Sequence, residues 1–103
     1  MGKTAIIKSL AKCIGNVTLH KIILEHTNKP ESIKHLRDEI KDYASDAFEK
    51  SELYSWTDEE KEEIKNKAIT SAKNAVKGYP DLSFSEDEIK EKVIDTMQEF
   101  LLM

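Results

Sequence analysis

Three times along this chain a small polar residue is followed, three positions on, by glutamate: Asn28-Lys29-Pro30-Glu31, Thr57-Asp58-Glu59-Glu60 and Ser85-Glu86-Asp87-Glu88. That spacing marks a helix start. The small side chain accepts a hydrogen bond from an orphan N–H of the first turn, and the glutamate accepts one from the cap residue's own N–H. Acids at the positive end of the helix dipole add to the effect. After the third signal, Phe84 before the cap and Ile89 inside the helix are placed to form a hydrophobic staple.

Each signal opens a stretch whose apolar residues recur at steps of three and four. From about 29 to 52 the stripe is Ile33, Leu36, Ile40, Tyr43, Ala44 and Ala47; from about 58 to 77 it is Ile64, Ala68, Ile69, Ala72, Ala75 and Val76. From about 86 to 102 it is Ile89, Val93, Ile94, Met97, Phe100 and Leu101. Gly78 reads as a left-handed stop for the second of these, and Pro80 prevents continuation. Upstream, 3–14 reads as a helix with Ile6, Ile7, Leu10, Cys13 and Ile14 on one arc, ended by Gly15-Asn16; a shorter helix over 17–26 carries Leu19, Ile22 and Ile23. Apolar alternation is absent. The expected fold is therefore all-α: a compact bundle of five helices over about 3–14, 17–26, 29–52, 58–77 and 86–102, with no β-sheet, forming a single domain over 1–103. The helix starts are nearly evenly spaced, but the stripes do not align between segments, so a repeat array is not expected.

Charge is divided unevenly along the chain. The first 24 residues hold Lys3, Lys8, Lys12 and Lys21 and no acid. Up to Arg37 the balance is about +5, and from Asp38 onward about −9, within a total of −4. Either the basic piece packs on the acidic body, or it offers a surface to something else. A leader peptide is not expected, because the start lacks arginine and an apolar stretch of secretory length. No apolar run approaches membrane-spanning length, and the single Cys13 argues for no disulfide framework, so the expected location is cytoplasmic.

Site chemistry is sparse. Gly2-Lys3-Thr4 resembles the tail of a phosphate-binding loop without its upstream glycine and strand. Cys13, His20, His26 and His35 have no metal-ligand spacing, and Cys13 reads as a buried inert thiol. His35, between Glu31 and Glu39, reads as a solvated histidine. Carboxylates fall on exposed helical faces, and Tyr54, Trp56, Tyr79 and Phe84 sit at helix ends as caps on the core. No catalytic residue, cofactor, metal or small-molecule substrate is expected, and the chain reads as a non-enzyme.

The expected function is a small protein-interaction module: an adaptor, a subunit or a homo-oligomer. Its candidate surface is Ile6, Ile7, Leu10 and Ile14 with Phe100, Leu101, Leu102 and Met103, more apolar area than a thin bundle needs to cover. The alternative is a nucleic-acid-binding regulator using segment 1–37, with Lys3, Lys8, Lys12, Lys21, Lys29, Lys34 and Arg37 as its basic surface. Residues 19–40, LHKIILEHTNKPESIKHLRDEI, resemble the opening of a winged-helix regulator: a helix, a polar turn with Pro30, then a helix begun at Ser32-Ile33. The resemblance implies a helix-turn-helix at that point. A basic recognition helix and a β-wing should follow it, where this chain has the acidic run from Asp42 to Glu49 and then more helix. Membrane-surface binding through Lys8 and Lys12 is not expected, because anchoring aromatics are lacking.

Overall fold

The structure, a computed structural model, describes residues 2–26, 30–78 and 85–99. Four helices account for nearly all of them: α1 (Lys3–His26), α2 (Pro30–Ser51), α3 (Asp58–Val76) and α4 (Glu86–Glu99). No strand occurs among the described residues. The class is as expected; the count of five is corrected to four, because 3–14 and 17–26 are one continuous helix.

The reason lies at Gly15. A Cβ there would come within 2.7 Å of Ser71 Oγ, 2.8 Å of Ser71 Cβ and 3.3 Å of the Ala68 carbonyl oxygen, all on α3. Glycine marks the place where two helices cross too closely for a side chain, and the α1 backbone runs straight through it.

Helix ends follow from their caps. Thr57 accepts from the Glu60 N–H at 3.1 Å, and the Glu60 carboxylate accepts from the Thr57 N–H at 3.0 Å, closing the expected box. Ser85 accepts from the Glu88 N–H at 3.2 Å. The signal at Asn28 and the staple from Phe84 lie outside the described residues. At the end of α2, the Ser51 hydroxyl donates to the Phe48 carbonyl at 2.7 Å, and the Trp56 indole N–H donates to the Ser51 carbonyl at 2.9 Å, so orphan carbonyls of the last turn are satisfied. Gly78 does not take the left-handed backbone expected of it; its N–H closes a tight turn onto the Ala75 carbonyl at 3.2 Å.

Pairings between helices set the topology. Lys3 meets Glu60 and Gly15 meets Ser71, so α1 and α3 run parallel. Cys13 meets Asp46 and His20 meets Glu39, so α2 runs antiparallel to α1. Lys21 meets Glu99 and Glu25 meets Lys92, so α4 is also antiparallel to it. The helix α1 packs against each of the other three, α3 packs on α4, and α2 touches only α1. Consecutive α2 and α3 are thus separated by α1. The helices α1 and α2 meet from His20/Glu39 to Cys13/Asp46.

A helix enclosed on three sides must be apolar over most of its circumference, and α1 is. Leu10, Ile14, Val17 and Ile22 are fully buried, with Ile7, Ala11 and Cys13 beside them. From the other helices the core draws Ala47, Ile64, Ala68, Ala72, Ile89, Val93 and Met97. Thr18 is fully buried as well, and its hydroxyl finds no partner among the described residues, so it fills a place of valine's shape. In α2, which has one neighbour, only Leu36 and Ala47 of the expected stripe are buried, while Ile33, Ile40, Tyr43 and Ala44 are half-covered.

Candidate functional site

The four α1 residues expected to form an apolar docking surface do not form one. Ile6, Ile7, Leu10 and Ile14 are all buried, because the enclosure of α1 by α2, α3 and α4 uses this arc as core. Phe100, Leu101, Leu102 and Met103 lie outside the described residues. Among the described residues the exposed large apolar side chains are Phe48, Leu53 and Tyr54, at the end of α2 and in the turn after it.

The seven expected basic residues separate into groups. Lys3 is bound to the body: its ammonium lies 2.9 Å from the Glu60 carboxylate and donates to the Ser55 carbonyl at 3.4 Å. It also stands 5.5 Å from the Tyr54 ring centre and 5.4 Å from that of Trp56, which meet each other edge to face. The Glu60 carboxyl is held below its usual range, first by the Thr57 N–H and then by Lys3. Lys21 is bound as well, to Glu99 at 2.7 Å and to the Thr96 hydroxyl at 3.2 Å. Lys29 lies outside the described residues, and Lys34 and Arg37 are exposed on α2.

Lys8 and Lys12 differ from their two neighbours on α1. Both are exposed and neither has an ion-pair partner among the described residues. They rise along one wall of a groove of about 470 Å³ between α1 and α3, a volume within the range of roughly 300–1,000 Å³ typical of ligand clefts. Ala11 lies between them, and the opposite wall is Asn66, Lys67, Thr70, Ser71 and Asn74. Lys67 also stands 3.9 Å from Glu63, one turn back on α3.

Among the described residues no acid lines this groove, and the parallel run of α1 and α3 explains it. The acid-free stretch at the start of the chain lies alongside a second one, since no Asp or Glu occurs from Ile64 to Pro80. The residues Asn66, Lys67, Thr70, Ser71 and Asn74 were missed by sequence reasoning, which took the whole segment after Asp38 as acidic. Their signal was the uncharged polar series 66, 70, 74, which repeats at helical spacing after the last acid of α3.

The remaining titratable clusters are structural. Cys13 Sγ–H donates to Asp46 at 3.1 Å; burial, then the Asp46 carboxylate, push the thiol up to about 11, so it stays protonated and unreactive at neutral pH. Asp46 is in turn held low, first by Lys50, 2.7 Å away, and then by Cys13. The His20 ring presents Nδ1 to the Asn16 carbonyl at 2.7 Å and Nε2 to Glu39, while His35, mostly exposed, meets Glu39 at 2.8 Å. Among the described residues no group of three or more His, Cys, Asp or Glu is placed to hold a metal ion, and no helix is long and apolar enough to cross a membrane. No family model matches the chain, and neither a curated protein nor a solved structure matches it.

Proposed function

We propose that the chain is a non-enzymatic protein-interaction module of the cytoplasm that docks its partner in the groove between α1 and α3. The observation that carries this reading is the division of the α1 lysines. Lys3 and Lys21 are engaged in holding α1 to α3 and α4, whereas Lys8 and Lys12 make no ion pair among the described residues and stand together on a groove wall. A solvated lysine needs no partner, but Lys8 and Lys12 lie one turn apart, repel each other and are relieved by an incoming anionic group. The same division leaves fewer basic residues of segment 1–37 for the nucleic-acid reading, whose affinity grows with the number of phosphates neutralised.

The test compares immobilised wild-type chain with two variants as baits for cell extract. Lys8→Glu/Lys12→Glu reverses the groove rim; Lys34→Glu/Lys41→Glu makes the same change in net charge on exposed positions of α2. The expected result is a protein retained by wild type and by the α2 variant and lost by the groove variant. Equal recovery by all three contradicts the proposal.

A further inference from the structure

Resting on that reading, we infer that the occupant of the α1/α3 groove is a short acidic segment of the partner protein, with carboxylates set against Lys8, Lys12 and Lys67. Three ammonium groups line the walls, of which Lys67 stands beside Glu63 while Lys8 and Lys12 have no ion pair among the described residues, so an anionic side chain entering the groove is attracted chiefly to the α1 wall. Lys8 and Lys12 are one helical turn apart, about 6 Å along α1. Acids four residues apart on a partner helix present their carboxylates at that same spacing. Ala11 and Ser71 bring only small side chains to the seam, where the stems of glutamates and of the lysines themselves can lie together. Asn66 and Asn74 add amide N–H donors, which a carboxylate oxygen accepts.

The size of the groove selects among anions. Its α3 wall runs from Asn66 to Asn74, about 12 Å, which matches two turns of a helix. A nucleic-acid strand is longer than this. Past the Asn66 end of the groove α3 carries Glu59, Glu62 and Glu63, on a chain whose net charge is −4. Nucleic-acid affinity grows with the number of phosphates neutralised, and three lysines with acids past one end supply few. A compact run of carboxylates needs no more than those three.

Fluorescence anisotropy on the full chain tests this with three labelled probes: a peptide of about 15 Ala and Glu residues with Glu at every fourth position, its Gln counterpart, and an oligothymidylate of similar length. The Glu peptide is expected to bind and the Gln peptide to fail. Lys8→Glu/Lys12→Glu is expected to weaken the Glu peptide about tenfold or more, while Lys34→Glu/Lys41→Glu stays within about twofold. Affinity falls as salt is raised. Absence of Glu-peptide binding, equal loss in both variants, or tighter binding of the oligothymidylate overturns the inference. The extract experiment separates the two levels: a partner lost with the groove rim while the Glu peptide fails removes the acidic chemistry and leaves the module, and failure of both removes both.

Discussion

Ile14→Ala is expected to lower the unfolding free energy by about 4 kcal/mol, toward the upper end of the range for truncating a buried isoleucine. Ile14 has no exposed surface and sits on the helix that contacts all three others. Truncation removes its methyl groups from the core and leaves a cavity. Because α1 is held by α2, α3 and α4 at once, no single neighbour can move in to fill it without giving up contacts elsewhere. Domains of this kind are stable by only about 5–15 kcal/mol, so the loss is a large fraction of the whole. Phe48→Ala is the internal control. Phe48 is 45% exposed on α2, and its truncation is expected to cost no more than about 1 kcal/mol. Urea unfolding followed by circular dichroism measures both. If Ile14→Ala costs no more than Phe48→Ala, α1 is not the central helix.

Gly15→Ala is the second large effect, and its sign is the informative part. In an ordinary helix interior this substitution stabilises, by about 1 kcal/mol, because alanine has the better helix propensity. Here the new methyl lies 2.8 Å from Ser71 Cβ, which cannot be rotated aside, and 3.3 Å from a backbone oxygen. The two helices must separate. Overpacking of this kind costs about 1–3 kcal/mol, which outweighs the propensity gain and leaves a net loss of about 1–2 kcal/mol. Gly15→Ala/Ser71→Gly returns the space and is expected to recover part of the loss, although glycine in α3 brings its own propensity cost. Thermal melts of the three proteins decide it. A Gly15→Ala protein more stable than wild type contradicts the close crossing of α1 and α3.

The same glycine shows how far the fold was legible. Local chemistry was read correctly where it is decided locally: the Thr57 box closes, Ser85 caps α4, and the α3 residues Ile64, Ala68, Ile69 and Ala72 are buried as their spacing implied. Gly15-Asn16 was misread because a glycine after an apolar arc looks the same whether it ends a helix or admits another helix. Only the second is true here, and the cause, Ser71, lies on another element. A hint was present. The apolar series Leu10, Ile14, Val17, Thr18, Ile22 passes through the glycine without a change of phase, which a true helix break would have disturbed.

The candidate site was legible by half. Lys8 and Lys12 belong to the acid-free start read as a basic surface, and they are exposed. Lys3 and Lys21 were grouped with them although they are tied to Glu60 and Glu99, more than fifty residues away in sequence. Whether a lysine is paired depends on which helix packs beside it, and parallel packing of α1 on α3 is not written in either stripe. The arc of Ile6, Ile7, Leu10 and Ile14 was read as surplus because the enclosure of α1 on three sides could not be foreseen from periodicity alone.

The claim that the α1 lysines are divided between holding the fold and facing a partner is tested most directly by two matched neutralisations. Lys3→Gln/Lys21→Gln and Lys8→Gln/Lys12→Gln remove the same charge from the same helix, and each is followed by its melting temperature and by Glu-peptide affinity. The first pair is expected to melt several degrees below wild type with affinity retained, since it loses the ties to Glu60 and Glu99 and the contact with the Tyr54 and Trp56 rings. The second pair is expected to melt within about 2 °C of wild type and to lose affinity. Equal falls in melting temperature, or equal losses of affinity, would contradict the division.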